Sequence, residues 1–197
     1  MLCPPYLELQ YFVGREGVAS AVNALVEGVA ENVIPRKLVV RDVVGLSSKS
    51  EEVEIKGGIV VLRTEGEAFC GPEREDRRRL TQMGRHVYQR FTELADRLQP
   101  TYGAILVEYT LEEPAELRQD PRSLAFRDFF VHQERLGQHA IDAIIRLAGE
   151  DAYVERLHAG AYISMSFEFN PKARSVASLI AQERSTEIAA IVGRAVR

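Results

Sequence analysis

A chain of 197 residues lies in the size range of one domain. Its 46% hydrophobic and 27% charged residues are the composition of a folded globule, which excludes a disordered chain. A formal net charge of −4 argues against a general nucleic-acid binder, because duplex affinity needs clustered cations, and it favours a basic partner instead.

Tyr6–Val13 alternates, with Leu7, Leu9, Tyr11 and Val13 on one face, as a half-buried strand requires. Glu8 and Gln10 interrupt it, so it lacks the apolar core of a signal peptide. Gly14-Arg15-Glu16-Gly17 turns the chain into a helix with its seam at Val18, Ala21, Val22, Leu25, Val29 and Val33, stopped by Pro35. Arg36–Val44 is a β-branched strand. Glu52–Lys56 and Ile59–Arg63 flank Gly57-Gly58, which predicts a β-hairpin.

Beyond Phe69-Cys70-Gly71-Pro72 lies the strongest helix, striped by Leu80, Met83, Val87, Phe91, Leu94, Ala95 and Leu98, with Pro100 past its end. Tyr102–Thr110 is apolar on both faces and predicts a central strand. Leu111–Ser123, with Pro114 and Pro121, holds only a short helical turn. Phe126–His132 reads as a strand, and Leu136, Ala140, Ala143, Ile144 and Leu147 as a third helix ending at Gly149.

A second hairpin turns at Ala159-Gly160, between Ala152–His158 and Ala161–Phe169. Its second arm sends Ile163, Met165, Phe167 and Phe169 inward and Ser164, Ser166 and Glu168 to the other face. Asn170-Pro171 is a capping pair for a last helix carrying Val176, Leu179, Ile180, Ile188, Ile191 and Val192.

These elements predict one α+β domain spanning 1–197: a single mixed or mainly antiparallel sheet with two β-hairpins and about four helices. Residues 6–98 and 102–197 share a similar order of elements, which raises a duplicated unit as a hypothesis. Adjacent hairpins exclude a purely parallel, doubly wound sheet.

Two cysteines, Cys3 and Cys70, make no disulfide framework, and no run approaches the ~18 apolar residues of a membrane span, so a cytoplasmic location is expected. Its basic residues are 21 Arg against four Lys, a bias typical of GC-rich bacterial coding.

No linear motif fixes a reaction. Cys70 precedes a helix whose free amides can lower a thiol pKa, but Glu73, Glu75 and Asp76 oppose thiolate formation there. A small buried hydrophobe is the ordinary reading of such a residue. The histidines (His86, His132, His139 and His158) lack the spacing of a zinc site, and no cofactor or metal is expected. Gly14-x-x-Gly17 lacks the spacing of a phosphate loop and carries Glu16 where the phosphate would sit. The run Glu73–Arg79 nets only +1 and pairs its charges at i,i+4, as a solvated helix end does.

Three features are candidates for binding. The connection Leu111–Ser123 carries Glu112, Glu113, Glu116 and Asp120 against Arg118 and Arg122, net −2, and is long for an irregular loop. The column Ser164, Ser166 and Glu168 is either a solvent-facing sheet surface or the polar floor of a pocket. Glu108 interrupts an apolar strand, so it is paired, at an exposed end, or purposeful.

The function read from these residues is a binding or regulatory protein without catalysis of its own, one version being an immunity-type protein that neutralises a basic partner. The alternative is a small enzyme or small-molecule sensor with a pocket near Glu108, Ser164, Ser166 and Glu168, or beside Cys70. A third reading is a homo-oligomer or assembly subunit using an exposed apolar stripe on the last helix. Neither nucleic acid nor membrane is expected as a partner.

Overall fold

The computed structural model describes residues 6–25, 37–40, 51–65, 77–165, 169–170, 172, 174, 176 and 178–196. Their strands are β1 (Tyr6–Phe12), β2 (Lys37–Val40), β3 (Glu51–Lys56), β4 (Ile59–Glu65), β5 (Tyr102–Val107), β6 (Asp128–His132), β7 (Tyr153–Arg156) and β8 (Gly160–Ser164). The helices are α1 (Val18–Leu25), α2 (Arg77–Leu98), α3 (Pro114–Gln119), α4 (Gln133–Leu136), α5 (Gln138–Ala148) and α6 (Ser178–Ala195).

All eight strands join one sheet in the order β2-β3-β4-β1-β5-β6-β8-β7, and every pairing is antiparallel. The fold is α+β, as the adjacent hairpins require. No described helix is long and apolar enough to cross a membrane.

Helices cover both faces of the sheet. On one face α1 and α2 bury Val22, Leu25, Phe91, Leu94 and Leu98 against Leu7, Leu9, Tyr11, Leu62, Phe130 and Tyr162. On the other, α3, α5 and α6 set Leu117, Ile141, Ile144, Ile188 and Val192 against Ile59, Val61, Ala104, Phe129, Val131 and Ile163. Each large apolar side chain so buried contributes about 1.5–3 kcal/mol. Tyr102–Leu106 of β5 is buried throughout, which is the double coverage its unbroken apolar run implies.

The β3–β4 hairpin turns at Gly57-Gly58 as expected, with positive φ (59°) at Gly57 only. That is the pattern of a type II′ turn, in which the first central residue alone needs it.

Four expectations shift. Leu157 and Gly160 exchange backbone hydrogen bonds of 2.9 and 3.4 Å, so the second hairpin turns at His158-Ala159 rather than Ala159-Gly160. Gly160 belongs to β8, and a Cβ there would lie 2.0 Å from the Val131 carbonyl oxygen. Its missing side chain thus serves strand approach rather than turn conformation.

The expected third helix is divided at Gly137 (φ 83°) into α4 and α5, and its buried stripe is Ile141, Ile144 and Ala148. Asn170 does not cap the last helix, which starts at Ser178; its side-chain oxygen accepts from the Lys172 amide at 3.0 Å, an Asx turn. On α6 the buried seam is Ala181, Ser185, Ile188, Ala189 and Val192, while Leu179 and Ile180 point outward. The second arm of the hairpin is described as strand only to Ser164, and the first helix only to Leu25; Val29, Val33, Ser166, Phe167, Glu168 and Cys70 lie outside the described residues.

Candidate functional site

The acidic connection is tied down by its own carboxylates. Gln10, fully buried on β1, reaches across from the sheet: its Nε2 donates to the Tyr109 carbonyl at 3.0 Å and its Oε1 accepts from the Leu111 amide at 2.8 Å. Beneath it, Glu8 accepts from Gln10 Nε2 and from Arg63 Nε at 2.6 Å, and Arg63 reaches Glu54 at 3.1 Å.

Glu113 accepts from the Gly58 amide at 2.8 Å, which docks the loop on the β3–β4 turn. Glu116 reaches back to the Glu113 amide at 2.8 Å, half of a capping box, with Pro114 at the first helical position. Glu112 accepts from the Ser123 hydroxyl at 2.6 Å, and burial pushes its pKa up against that bond. Asp120 is forked by Arg122 at 2.8 and 2.7 Å, which lowers its pKa to about 2. Each of the four acids therefore holds the loop or its neighbour.

Glu108 is exposed just beyond the end of β5, with φ 57°. Ser164 is fully buried on the sheet face that α2 covers, neither on a wet surface nor on the floor of an open pocket. It donates to buried Asp128, which also accepts from the Tyr162 hydroxyl at 3.2 Å. The two residues expected together, Glu108 and Ser164, are thus separated, one in solvent and the other in the core.

The Asp128 group continues outward to the edge of the sheet. Tyr162 packs against Tyr88 of α2 with ring centroids 4.8 Å apart, and against Tyr153 of β7 at 6.5 Å. The Tyr88 and Tyr153 phenols both donate to Glu155 Oε2, Tyr153 at 2.8 Å. Burial, then these bonds, push both phenol pKa values up. Lys172 stands over the Tyr153 ring, 5.2 Å from its centroid. This cluster had no signature in the sequence, because its members come from α2, β6, β7, β8 and the turn at Lys172.

A groove of about 490 Å³ lies along the start of α6, lined by Arg122, Leu179, Gln182, Glu183, Thr186 and Glu187. Leu179 is 76% exposed and Ile180 45%, two of the three large apolar side chains left in solvent among the described residues. Positions 179, 182, 183, 186 and 187 follow helical spacing, so they form one face of α6.

Near the opposite edge of α2, His132 is buried and its Nε2 meets Gln99 Oε1 at 3.1 Å. Among the described residues no group of three or more side chains could hold a metal.

No family model matches the chain, and no curated protein matches it. Among solved structures, the Pseudomonas aeruginosa T6SS protein PA0821 is similar at 14% identity and a TM-score of 0.39, over 93% of this chain and 72% of that one. That likeness is too remote to carry an argument about fold or function.

Proposed function

We propose that the chain is a binding or regulatory protein of the bacterial cytoplasm, without catalysis of its own, that takes a basic protein partner on the groove beside α6. The observation carrying this reading is Leu179, a large apolar side chain exposed on the wall of that groove beside Glu183 and Glu187, with exposed Ile180 next to it in the chain. An apolar anchor beside carboxylates suits a partner segment with an apolar side chain flanked by Lys or Arg.

Charge favours a different chain over a second copy. The groove and its rim carry Asp120, Glu183 and Glu187 against Arg122 alone, and Arg122 is already forked by Asp120. A two-fold contact of this patch with itself would set carboxylates against carboxylates. An immunity-type protein that covers a basic toxin is one form this function takes.

The competing reading is a small enzyme or small-molecule sensor. The observation on its side is Arg90, a buried guanidinium whose Nε and Nη2 have no hydrogen-bond partner among the described residues. Such a cation suits an anionic ligand.

The test is affinity capture with the tagged full chain from its source cell, comparing wild type with Leu179→Asp, Glu183→Lys/Glu187→Lys and, as a control on the opposite helical layer, Glu93→Lys. A partner held by wild type and the control, lost from both groove variants and released between about 50 and 500 mM salt supports the proposal. A partner retained by both groove variants, or a self-association that the groove variants abolish, overturns it.

A further inference from the structure

We propose that Tyr88, Tyr153 and Glu155 form a surface site for an alkylammonium cation, and that Lys172 is its tethered occupant. This goes beyond the partner groove of α6 and does not depend on it.

The site is built from rigid elements. Tyr153 and Glu155 stand two residues apart on edge strand β7, hence on one face, and are paired to Ser164 and Tyr162 of β8. Tyr88 comes from α2, which lies over that face. Tyr162 backs them from the core, its ring 4.8 Å from that of Tyr88 and 6.1 Å from that of Phe91. Tyr88, Tyr153 and Glu155 are half-buried, and Lys172 is exposed, so the group opens to solvent on the Lys172 side.

The chemistry of the group is that of a cation receptor. Both phenols converge on the same oxygen of Glu155, and its Oε1 is left without a bond among the described residues. Two phenol donors fix the carboxylate and leave the faces of electron-rich rings beside it. A carboxylate with aromatic faces attracts an organic cation by charge and ring quadrupole together.

Lys172 already brings an ammonium to the Tyr153 end of the group within the chain itself. Its ammonium lies 5.2 Å from the Tyr153 centroid and donates to the Tyr153 oxygen at 3.4 Å, while that phenol donates onward to Glu155. The Lys172 amide donates to the side chain of buried Asn170 at 3.0 Å, which ties this residue to the body of the fold.

The same chemistry serves a free alkylammonium ion and the lysine of a partner protein. Displacing the tethered occupant sets the affinity: the apparent dissociation constant is the intrinsic one divided by the fraction of time Lys172 leaves the site free.

The test titrates the full chain with tetramethylammonium chloride and, separately, with an acetylated and amidated Gly-Lys-Gly peptide. Sodium chloride at equal ionic strength is the reference, and the readout is the ring chemical shifts of Tyr88 and Tyr153 by NMR. The expected result is a saturable shift at millimolar ligand in Lys172→Ala, weaker by about threefold or more in wild type and abolished by adding Glu155→Gln. Saturation by tetramethylammonium alone marks a free ion as the ligand, and saturation by the peptide marks a partner's lysine. No saturable shift beyond sodium chloride in Lys172→Ala, or a shift that survives Glu155→Gln, overturns the proposal. If Lys172→Ala does not fold, wild type taken to higher ligand must show the same shift, and its absence is equally fatal.

Discussion

Gln10→Ala isolates what holds the acidic connection to the sheet. The side chain is fully buried, and its amide serves Tyr109, Leu111 and Glu8 at once. Removing it strands the Leu111 amide, on a residue only 1% exposed, and takes one donor from Glu8, which keeps Arg63. Water can replace the bond to Tyr109, a residue 53% exposed. An unsatisfied buried group costs about 1–3 kcal/mol, so one full loss, one partial loss and the void together predict about 2–4 kcal/mol. Urea denaturation measures the change, and amide exchange at Leu111 should quicken with it. Gln10→Leu refills the volume without the bonds and should recover no more than about 1 kcal/mol. A loss below about 0.5 kcal/mol with unchanged exchange at Leu111 refutes the latch.

Asp128→Ala leaves the buried Tyr162 and Ser164 hydroxyls without their shared acceptor, and should cost about 3 kcal/mol in the same denaturation assay. Gly160→Ala drives a Cβ into the backbone of β6 and should cost about 3 kcal/mol or prevent folding, read by circular dichroism and thermal melting.

His132 predicts a pH dependence. Gln99 Nε2 donates to the Asp96 carbonyl at 2.6 Å, so its Oε1 faces His132 and must accept from His132 Nε2–H. The buried Nδ1 is bare and has no partner among the described residues. Protonation there is opposed first by burial and then by Arg135, with Glu134 acting the other way, so the pKa falls below 6.5. The unfolded chain takes the proton first as pH falls through 6.5. Stability is therefore full above that value, declines below it, and the loss is complete once pH passes the lower folded pKa. Comparing denaturation free energies from pH 7.5 to 5 in wild type and His132→Phe should show a shallower slope in the variant; equal slopes contradict it.

Much of the fold was legible because local rules were enough. Alternation marked β1, helical spacing marked α2, and Gly57-Gly58 marked the first hairpin. Errors arose where a residue's reason was tertiary. Gly160 looked like a turn glycine, but its constraint is the Val131 carbonyl of another strand. Asn170 looked like a helix cap and instead closes its own turn. Gly137 breaks a helix that the apolar pattern carried through.

The candidate sites were harder still. Glu113-Pro114-Ala115-Glu116 did carry a readable helix-start pattern, which the net charge of the loop obscured. Ser164 was placed on the correct side of its strand, but the helix that covers that side was beyond any local signal. Asp128, Tyr162, Tyr88 and Glu155 meet only through strand order and the seating of α2, and neither can be computed from spacing along the chain.

Hydrogen exchange on the complex with the captured partner tests most directly whether α6 is the working surface. Protection confined to residues 179–187 and the neighbouring turn at 120–122, with none along the Glu93 face of α2, is the expected footprint. Protection on α2 or on the β2 edge, with residues 179–187 unchanged, would contradict it.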